Sequence, residues 1–244
     1  MVEEKAVVQK NGIYLNQNMV IEVYGDRAIF TRPELSVERV TYDFLTPAAA
    51  VGILLNILGP RGIKYVIKRI YVKNPIVYES VKTNECGSID DPYGMRKYIA
   101  GKAHLPYVNL HDDRCSSQRM NQMLRDVSYL IEFRMGIDSK TAPKDVDINK
   151  WIGMFVRRAR TGACYQTPYF GQRQFPANFK LYDRRIPYVC PEELKGERKE
   201  ELMFYGWRDR DPLGRPSVEQ FFHAKLVNGI LEVPAPGSPE IITE

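Results

Sequence analysis

Between Arg125 and Met135 the chain runs R-D-V-S-Y-L-I-E-F-R-M, with apolar side chains at every second position. In an extended strand, Val127, Tyr129, Ile131, Phe133 and Met135 share one face, while Ser128, Leu130, Glu132 and Arg134 share the other. Two helices are also read from the sequence. The first is opened by Thr46-Pro47. Thr is a good N-cap, and Pro at the first helical position gives up an N–H that has no intrahelical partner. It runs over about 47–58 and is stopped by Gly59-Pro60. The second spans Asp147 to about Arg160, with Ile148, Trp151, Ile152 and Phe155 at helical spacing and Gly162 as a stop.

Further β-prone runs are Met19–Tyr24, Ile63–Val77 and Phe175–Leu181. The order is then strand, helix, strand, twice over. This predicts an α+β chain with a ferredoxin-like (RRM-type) split βαβ domain. Residues 1–18 read as an irregular lead-in, and 79–117 as a long Gly-, Pro- and Asp-rich insertion, a length that is uncommon unless functional. Tyr182 to Glu200 is charged and turn-rich. Strands are expected at Leu202–Trp207, Val218–Val227 and Ile230–Val233, the last two joined by Asn228-Gly229, a strong hairpin signal. The domains expected are 1–183, ferredoxin-like, and 184–244, a small C-terminal β-sheet appendage.

Charge is informative by its distribution. The chain of 244 residues has a net charge of only +5. Between Asp147 and Asp183, however, it contains no acidic residue, while Lys150, Arg157, Arg158, Arg160, Arg173 and Lys180 fall there with Trp151, Phe155, Tyr165 and Tyr169. A cationic stretch carrying aromatic residues reads as a phosphate-binding surface. The blander reading makes its arginines partners of a helix C-terminus. The charged arm 27–45 adds Arg27, Arg32 and Arg39, which face either RNA phosphates or the nearby Asp26, Glu34 and Glu38. Four scattered cysteines form no C-x-x-C pair, and a zinc site drawn from Cys86, His104, His111 and Cys115 is poorly spaced. With no signal-peptide core and no apolar run of membrane-spanning length, a cytoplasmic protein without membrane contact is expected.

Walker loops, H-E-x-x-H and G-x-S-x-G are absent, and no carboxylate pair has the flanking ligands of a metal nuclease. No cofactor and no metal is expected. RNA can be cut without metal when its 2′-OH attacks the adjacent phosphate, which requires proton transfer and stabilisation of charge on the phosphorane. Only three histidines are present, His104, His111 and His223. Tyr42 stands just before a helix N-terminus, where the free N–H groups favour an anion. A tyrosine acts as a base only if cations lower its pKa of about 10; otherwise it orients or donates.

Three blocks carry a resemblance. They are E-V-Y-G-D-R-A-I-F-T-R-P-E-L-S-V-E-R-V-T-Y (22–42) followed by T-P-A-A-A-V-G-I-L, R-R-A-R-T-G-A-C-Y-Q-T-P-Y-F-G-Q-R-Q-F-P-A-N-F (157–179), and F-F-H-A-K-L-V-N-G-I-L-E-V-P (221–234). In this order they resemble the CRISPR-associated RAMP protein of the fifth family in its type I-C form, over nearly the whole chain. The resemblance implies the ferredoxin-like fold and a metal-independent endoribonuclease. Such an enzyme cuts precursor CRISPR RNA at the repeat hairpin and stays on the 5′ handle in the Cascade complex. Implied partners are the CRISPR repeat RNA, the backbone and large subunits of type I-C Cascade and, indirectly, target DNA. Members of the family use a Tyr with a Lys and a His, and Tyr42 occupies the matching Tyr position. The family strand often reads I-E-A-H, which would put His where Arg134 stands. The expected catalytic residues are therefore Tyr42 and Arg134, the latter stabilising phosphate charge, with Arg27, Arg32, Arg39, Arg157, Arg158, Arg160 and Arg173 on RNA. The rival expectation is a non-catalytic Cascade subunit that only caps the handle.

Overall fold

The computed structural model describes residues 7–9, 13–15, 18–35, 38–59, 62–86, 100–101, 116–138, 142, 147–208 and 218–243. In chain order the strands are β1 (Val7–Gln9), β2 (Ile13–Leu15), β3 (Met19–Ala28), β4 (Arg39–Val40), β5 (Ile63–Val72), β6 (Val77–Cys86), β7 (Ser116–Asp138), β8 (Asn178–Leu181), β9 (Arg198–Trp207), β10 (Glu219–Val227), β11 (Ile230–Glu232) and β12 (Ile241–Thr243). Helix α1 (Pro47–Ile57) follows β4 and α2 (Ile148–Thr161) follows β7. The chain is thus α+β, built on a mostly antiparallel sheet. No helix among the described residues is long and apolar enough to cross a membrane.

The alternating run found in the sequence is the C-terminal half of β7. It pairs antiparallel with β3 on one side and β5 on the other, and β8 adds to the far edge of β3. Val127, Tyr129, Ile131, Phe133 and Met135 enter one core cluster with Ile53, Leu54 and Ile57 of α1 and Phe155 and Ala159 of α2. Both helices therefore cover the same face. Phe133 meets Phe155 edge-on at 5.2 Å between ring centroids, and each large apolar side chain so buried contributes about 1.5–3 kcal/mol. The helix ends follow the sequence signals. Thr46 Oγ1 accepts from the Ala49 N–H at 3.2 Å, Asp147 Oδ1 accepts from the Asn149 N–H at 2.9 Å, and Gly162 ends α2 at φ 72°.

Three sequence expectations change. Ile63–Val77 is not one strand: β5 ends at Val72, a turn through Lys73–Ile76 follows, and β6 begins at Val77. The stretch from 79 is strand as far as Cys86, paired residue for residue with Ser116–Arg125 of β7. In this arm Val77, Tyr78 and Met120 are exposed while Asn121, Met123 and Leu124, next to β3 and β4, are buried, so its sequence lacks the apolar alternation that marks a half-buried strand. Asp126, at φ 53°, breaks β7 between arm and sheet, and Asn74 Nδ2 donates to its carbonyl at 2.8 Å. The remainder of the insertion, with His104, His111 and Cys115, lies outside the described residues. The lead-in also differs from expectation, since β1 and β2 form a short hairpin that joins β7 at Gly136–Asp138.

The C-terminal strands join the main sheet through β11, where Leu231 is paired with Ile70 of β5. The Asn228-Gly229 turn between β10 and β11 has both residues at positive φ, 49° and 71°, as a two-residue hairpin turn demands. Met203, Phe222, Ala224, Leu226 and Leu231 belong to the same core cluster as the helices.

Candidate functional site

The segment before α1 folds back on the end of β3. The Tyr42 N–H donates to the Phe30 carbonyl at 2.8 Å, and the Arg32 N–H donates to the Val40 carbonyl at 2.9 Å. This pairing turns Tyr42 into the core, where it is 1% exposed. Its phenol oxygen accepts the backbone N–H of Phe204 at 3.3 Å, so the C-terminal hairpin fixes it from the far side. Tyr42 also lines a cleft of about 340 Å³ at the start of α1, with Thr31, Ala49, Gly52, Tyr169 and Phe204 around it.

The guanidinium of Arg32 sits over the Tyr42 ring, 4.5 Å from its centroid. Carboxylates surround this cation. Arg32 reaches Glu201 at 2.5 Å, Asp43 at 3.7 Å and Glu34 at 3.8 Å, and Lys199 approaches Asp43 at 3.3 Å. Burial, followed by the charge of Glu34, pushes the Tyr42 phenol up to about 12, against the pull of the Phe204 hydrogen bond and Arg32. Tyr42 is therefore a protonated phenol at neutral pH, suited to donate or orient rather than to act as base. Burial also raises the Glu201 carboxyl despite Arg32.

Arg134 lies on the other side of the sheet. Strand alternation sets it with Ser128, Leu130 and Glu132, away from the helices and from Tyr42, so the two expected catalytic residues occupy opposite faces. Its Nε donates to Asn18 Oδ1. Asn18 Nδ2 in turn donates to Glu132 at 2.8 Å. Glu132, 6% exposed, also accepts the Tyr71 hydroxyl at 3.0 Å and faces Arg184 at 3.7 Å and Arg69 at 3.9 Å. Lys68, the extra residue at the β5 bulge, has its pKa lowered by burial and then by the charge of Arg134.

Beside this face, between the C-terminal end of α2 and edge strand β8, runs a groove of about 570 Å³. Arg160, Lys180, Tyr182, Asp183, Arg184 and Arg185 line it. Lys180 and Lys73 share the buried carboxylate of Glu22, at 3.1 and 2.5 Å. Burial works to raise Glu22, but the two lysines together outweigh it and hold the carboxyl below its usual value.

The other expected RNA-binding residues are spread out. Arg27 is paired with Glu79, at 2.8 and 3.1 Å, rather than with Asp26. Arg32 is held in the carboxylate cage and Arg39 is half-buried in β4. Arg158 donates from Nη1 to the Ile57 carbonyl at 2.6 Å, capping α1, whereas Arg157, Arg160 and Arg173 are exposed. Of these seven, Arg160 alone lines the groove. Sequence reasoning did not single out Arg184 and Arg185, which lie just past the acid-free stretch in a segment read as a charged loop.

These features define an α+β sheet protein with both helices on one face and a cation-lined groove at the sheet edge. Residues 19–234 match the family model for a CRISPR-associated protein (Cas_Cas5), in its Cas5d form, and the chain belongs to that family. It is 40% identical over 216 residues to the "CRISPR pre-crRNA endoribonuclease Cas5d" of Mannheimia succiniciproducens, covering 88% of this chain and 93% of the relative. The protein of the same name from Thermus thermophilus is 32% identical, covering 88% and 90%. Among solved structures, a CRISPR-associated protein superposes with a TM-score of 0.67 at 18% identity, covering 95% of this chain and 98% of the other. A functionally uncharacterized protein, SMU1763c from Streptococcus mutans, gives 0.65 at 20% identity with the same coverage. At such identities these two likenesses speak for the fold alone.

Proposed function

We propose that this chain is an endoribonuclease that cuts precursor CRISPR RNA in its repeat and remains on the 5′ handle as a subunit of type I-C Cascade. The observation that carries this reading is the 40% identity, over 88% of this chain and 93% of the relative, to a protein named a CRISPR pre-crRNA endoribonuclease. The fold is compatible. The antiparallel order β8–β3–β7–β5, with α1 and α2 as the two crossovers, is the order of a ferredoxin-like split βαβ unit, which RRM-type RNA binders share.

The reaction proposed needs no metal. The 2′-oxygen bonds to the adjacent phosphorus as its proton passes to solvent water, and the bond from phosphorus to the 5′-oxygen breaks as another proton reaches that oxygen. The products are a 2′,3′-cyclic phosphate and a 5′-OH. Tyr42, protonated and lining a cleft at a helix N-terminus, supplies the proton to the leaving oxygen. Arg134, on the opposite face, takes a phosphate of the bound strand away from the reacting one. The exposed Arg157, Arg160 and Arg173 add backbone contacts. Arg27, Arg32, Arg39 and Arg158 serve chiefly to hold the fold.

The second reading, a subunit that caps the handle without cutting, is favoured by Arg134 standing where the family strand often has His. Incubating the purified protein with its cognate repeat RNA decides between them: cleavage supports the enzyme, and tight binding without cleavage supports the cap.

A further inference from the structure

Two buried carboxylates are paired with cations that line the groove, Glu22 with Lys180 and Glu132 with Arg184, at 7% and 6% exposure. Burying a carboxylate is costly unless it is paired, and each of these is shared by two cations. Glu22 holds Lys73 and Lys180, and Glu132 holds Arg69 and Arg184. The Glu22 group therefore keeps a surplus positive charge, whereas in the Glu132 group Arg69 is held more closely by Glu232, at 2.6 Å, and Arg184 is the cation that Glu132 fixes on the groove wall. In Arg184 the guanidinium is fixed further, because Nη1 donates to the Asn18 carbonyl at 3.0 Å. Asp183, the acid on the groove wall, is itself bound by Arg185 at 2.6 Å. Arg160 adds a cation from the end of α2. Both lysines of the Glu22 group stand over rings: Lys180 over Tyr24, which is exposed, at 5.6 Å, and Lys73 over Tyr182 at 5.9 Å.

From this geometry we infer that the groove between α2 and β8 binds the backbone of single-stranded RNA. Glu22 and Glu132 act as positioning residues that hold Lys180 and Arg184 toward its phosphates. The inference rests on the reading of the chain as a CRISPR RNA-binding enzyme and gives its strand a path along the sheet edge. Single-stranded RNA fits better than duplex because Tyr24 offers a face on which an unpaired base stacks, and bases inside a duplex present none. Long cationic side chains lose rotamer freedom on binding, and a carboxylate that fixes them beforehand reduces that loss.

The two roles open to these carboxylates predict opposite signs. If they are only local negative charges, Glu22→Gln and Glu132→Gln make the groove more positive and tighten RNA binding. If they position the cations, each substitution weakens it. The test is fluorescence anisotropy with a labelled short oligouridylate, titrated at several salt concentrations, beside a duplex RNA of equal length. We expect each substitution to weaken oligouridylate binding by roughly threefold to tenfold. Equal or tighter binding in both, measured at a temperature at which each variant is folded, overturns the positioning role.

Because a buried substitution can lower stability, a rim variant is measured alongside. Lys180→Ala with Arg184→Ala is expected to reduce the slope of log affinity against log salt by about 0.7 per lost phosphate contact. An unchanged slope overturns the groove as the RNA path, and so does duplex RNA binding as tightly as the single strand. Cleavage of repeat RNA by the unaltered protein is scored separately. Loss of oligouridylate binding in the rim variant of a protein that cuts nothing would remove the enzymatic reading and leave the groove standing.

Discussion

The guanidinium of Arg32 covers the ring of Tyr42 at 4.5 Å while holding Glu201 at 2.5 Å. A cation at that distance would ordinarily favour a phenolate. Here Glu201, Asp43 and Glu34 answer its charge, and burial dominates, so the tyrosine keeps its proton. The pair thus defines both the form in which Tyr42 enters any reaction and the fragility of its surroundings.

Removing the hydroxyl with Tyr42→Phe is expected to lower single-turnover cleavage on the order of 10²–10⁴-fold. The Phe204 N–H would lose its acceptor, at a stability cost of about 1 kcal/mol. RNA affinity should stay near that of the unaltered protein. Since the phenol titrates at about 12, the pH–rate profile should show no inflection from Tyr42 across the neutral range. Full activity in the Phe variant would remove Tyr42 from the chemistry.

Replacing Arg32 should act on stability first. Arg32→Ala leaves Glu201 and Asp43 close together with Lys199 as remaining cation, and a loss of about 1.5–3 kcal/mol is expected. Arg32→Lys should rescue only part of it. A single ammonium cannot reproduce the fork that binds Glu201 while Nε donates to the Thr41 carbonyl at 3.3 Å. Chemical denaturation of the three proteins measures this directly, and full rescue by Lys would contradict it.

Stability should depend on pH through Glu22. Its carboxyl is held below the usual 4.5 by Lys73 and Lys180. A lowered folded-state pKa contributes stability that is present above the unfolded value and lost as pH falls through the folded one. Glu22→Gln should therefore melt below the unaltered protein at neutral pH, with the gap closing in acid. A gap that widens in acid would reverse the sign assigned to this group.

Within the acid-free stretch the arginines should separate into two kinds. Arg158→Ala removes the donor that caps the Ile57 carbonyl and is expected to cost about 1–2 kcal/mol of stability. Arg157→Ala with Arg160→Ala, both exposed, should leave the melting temperature within a degree or so and weaken RNA binding in a salt-dependent manner. Identical behaviour of the two variants in either assay would contradict the division.

Much of the fold was legible because its signals are local. The alternation of 127–135, the Thr46-Pro47 start, the Gly162 stop and the Asn228-Gly229 turn each depend on a few neighbouring residues. The β6–β7 arm was not legible, because its exposed residues include the apolar Val77, Tyr78 and Met120 and its buried ones include Asn121, which leaves no apolar period to read. The site was legible only in part. Arg160 and Lys180 stood out as members of a run without acids. Which cation is free and which is caged depends on Glu79, Glu201, Glu22 and Glu132, each far away in sequence and brought in by strand pairing. The same long-range pairing separates Tyr42 from Arg134. The alternation of β7 assigned Arg134 to its face, but nothing local to Tyr42 says which face it joins.

The most direct measurement incubates the purified protein with its cognate repeat RNA in EDTA, beside the same RNA carrying a single 2′-deoxy at the scissile nucleotide. The account predicts that the first is cut once, leaving a 2′,3′-cyclic phosphate and a 5′-OH, and that the second is bound and left intact. Cleavage of the 2′-deoxy substrate, or tight binding of the unmodified repeat without cleavage, would contradict it.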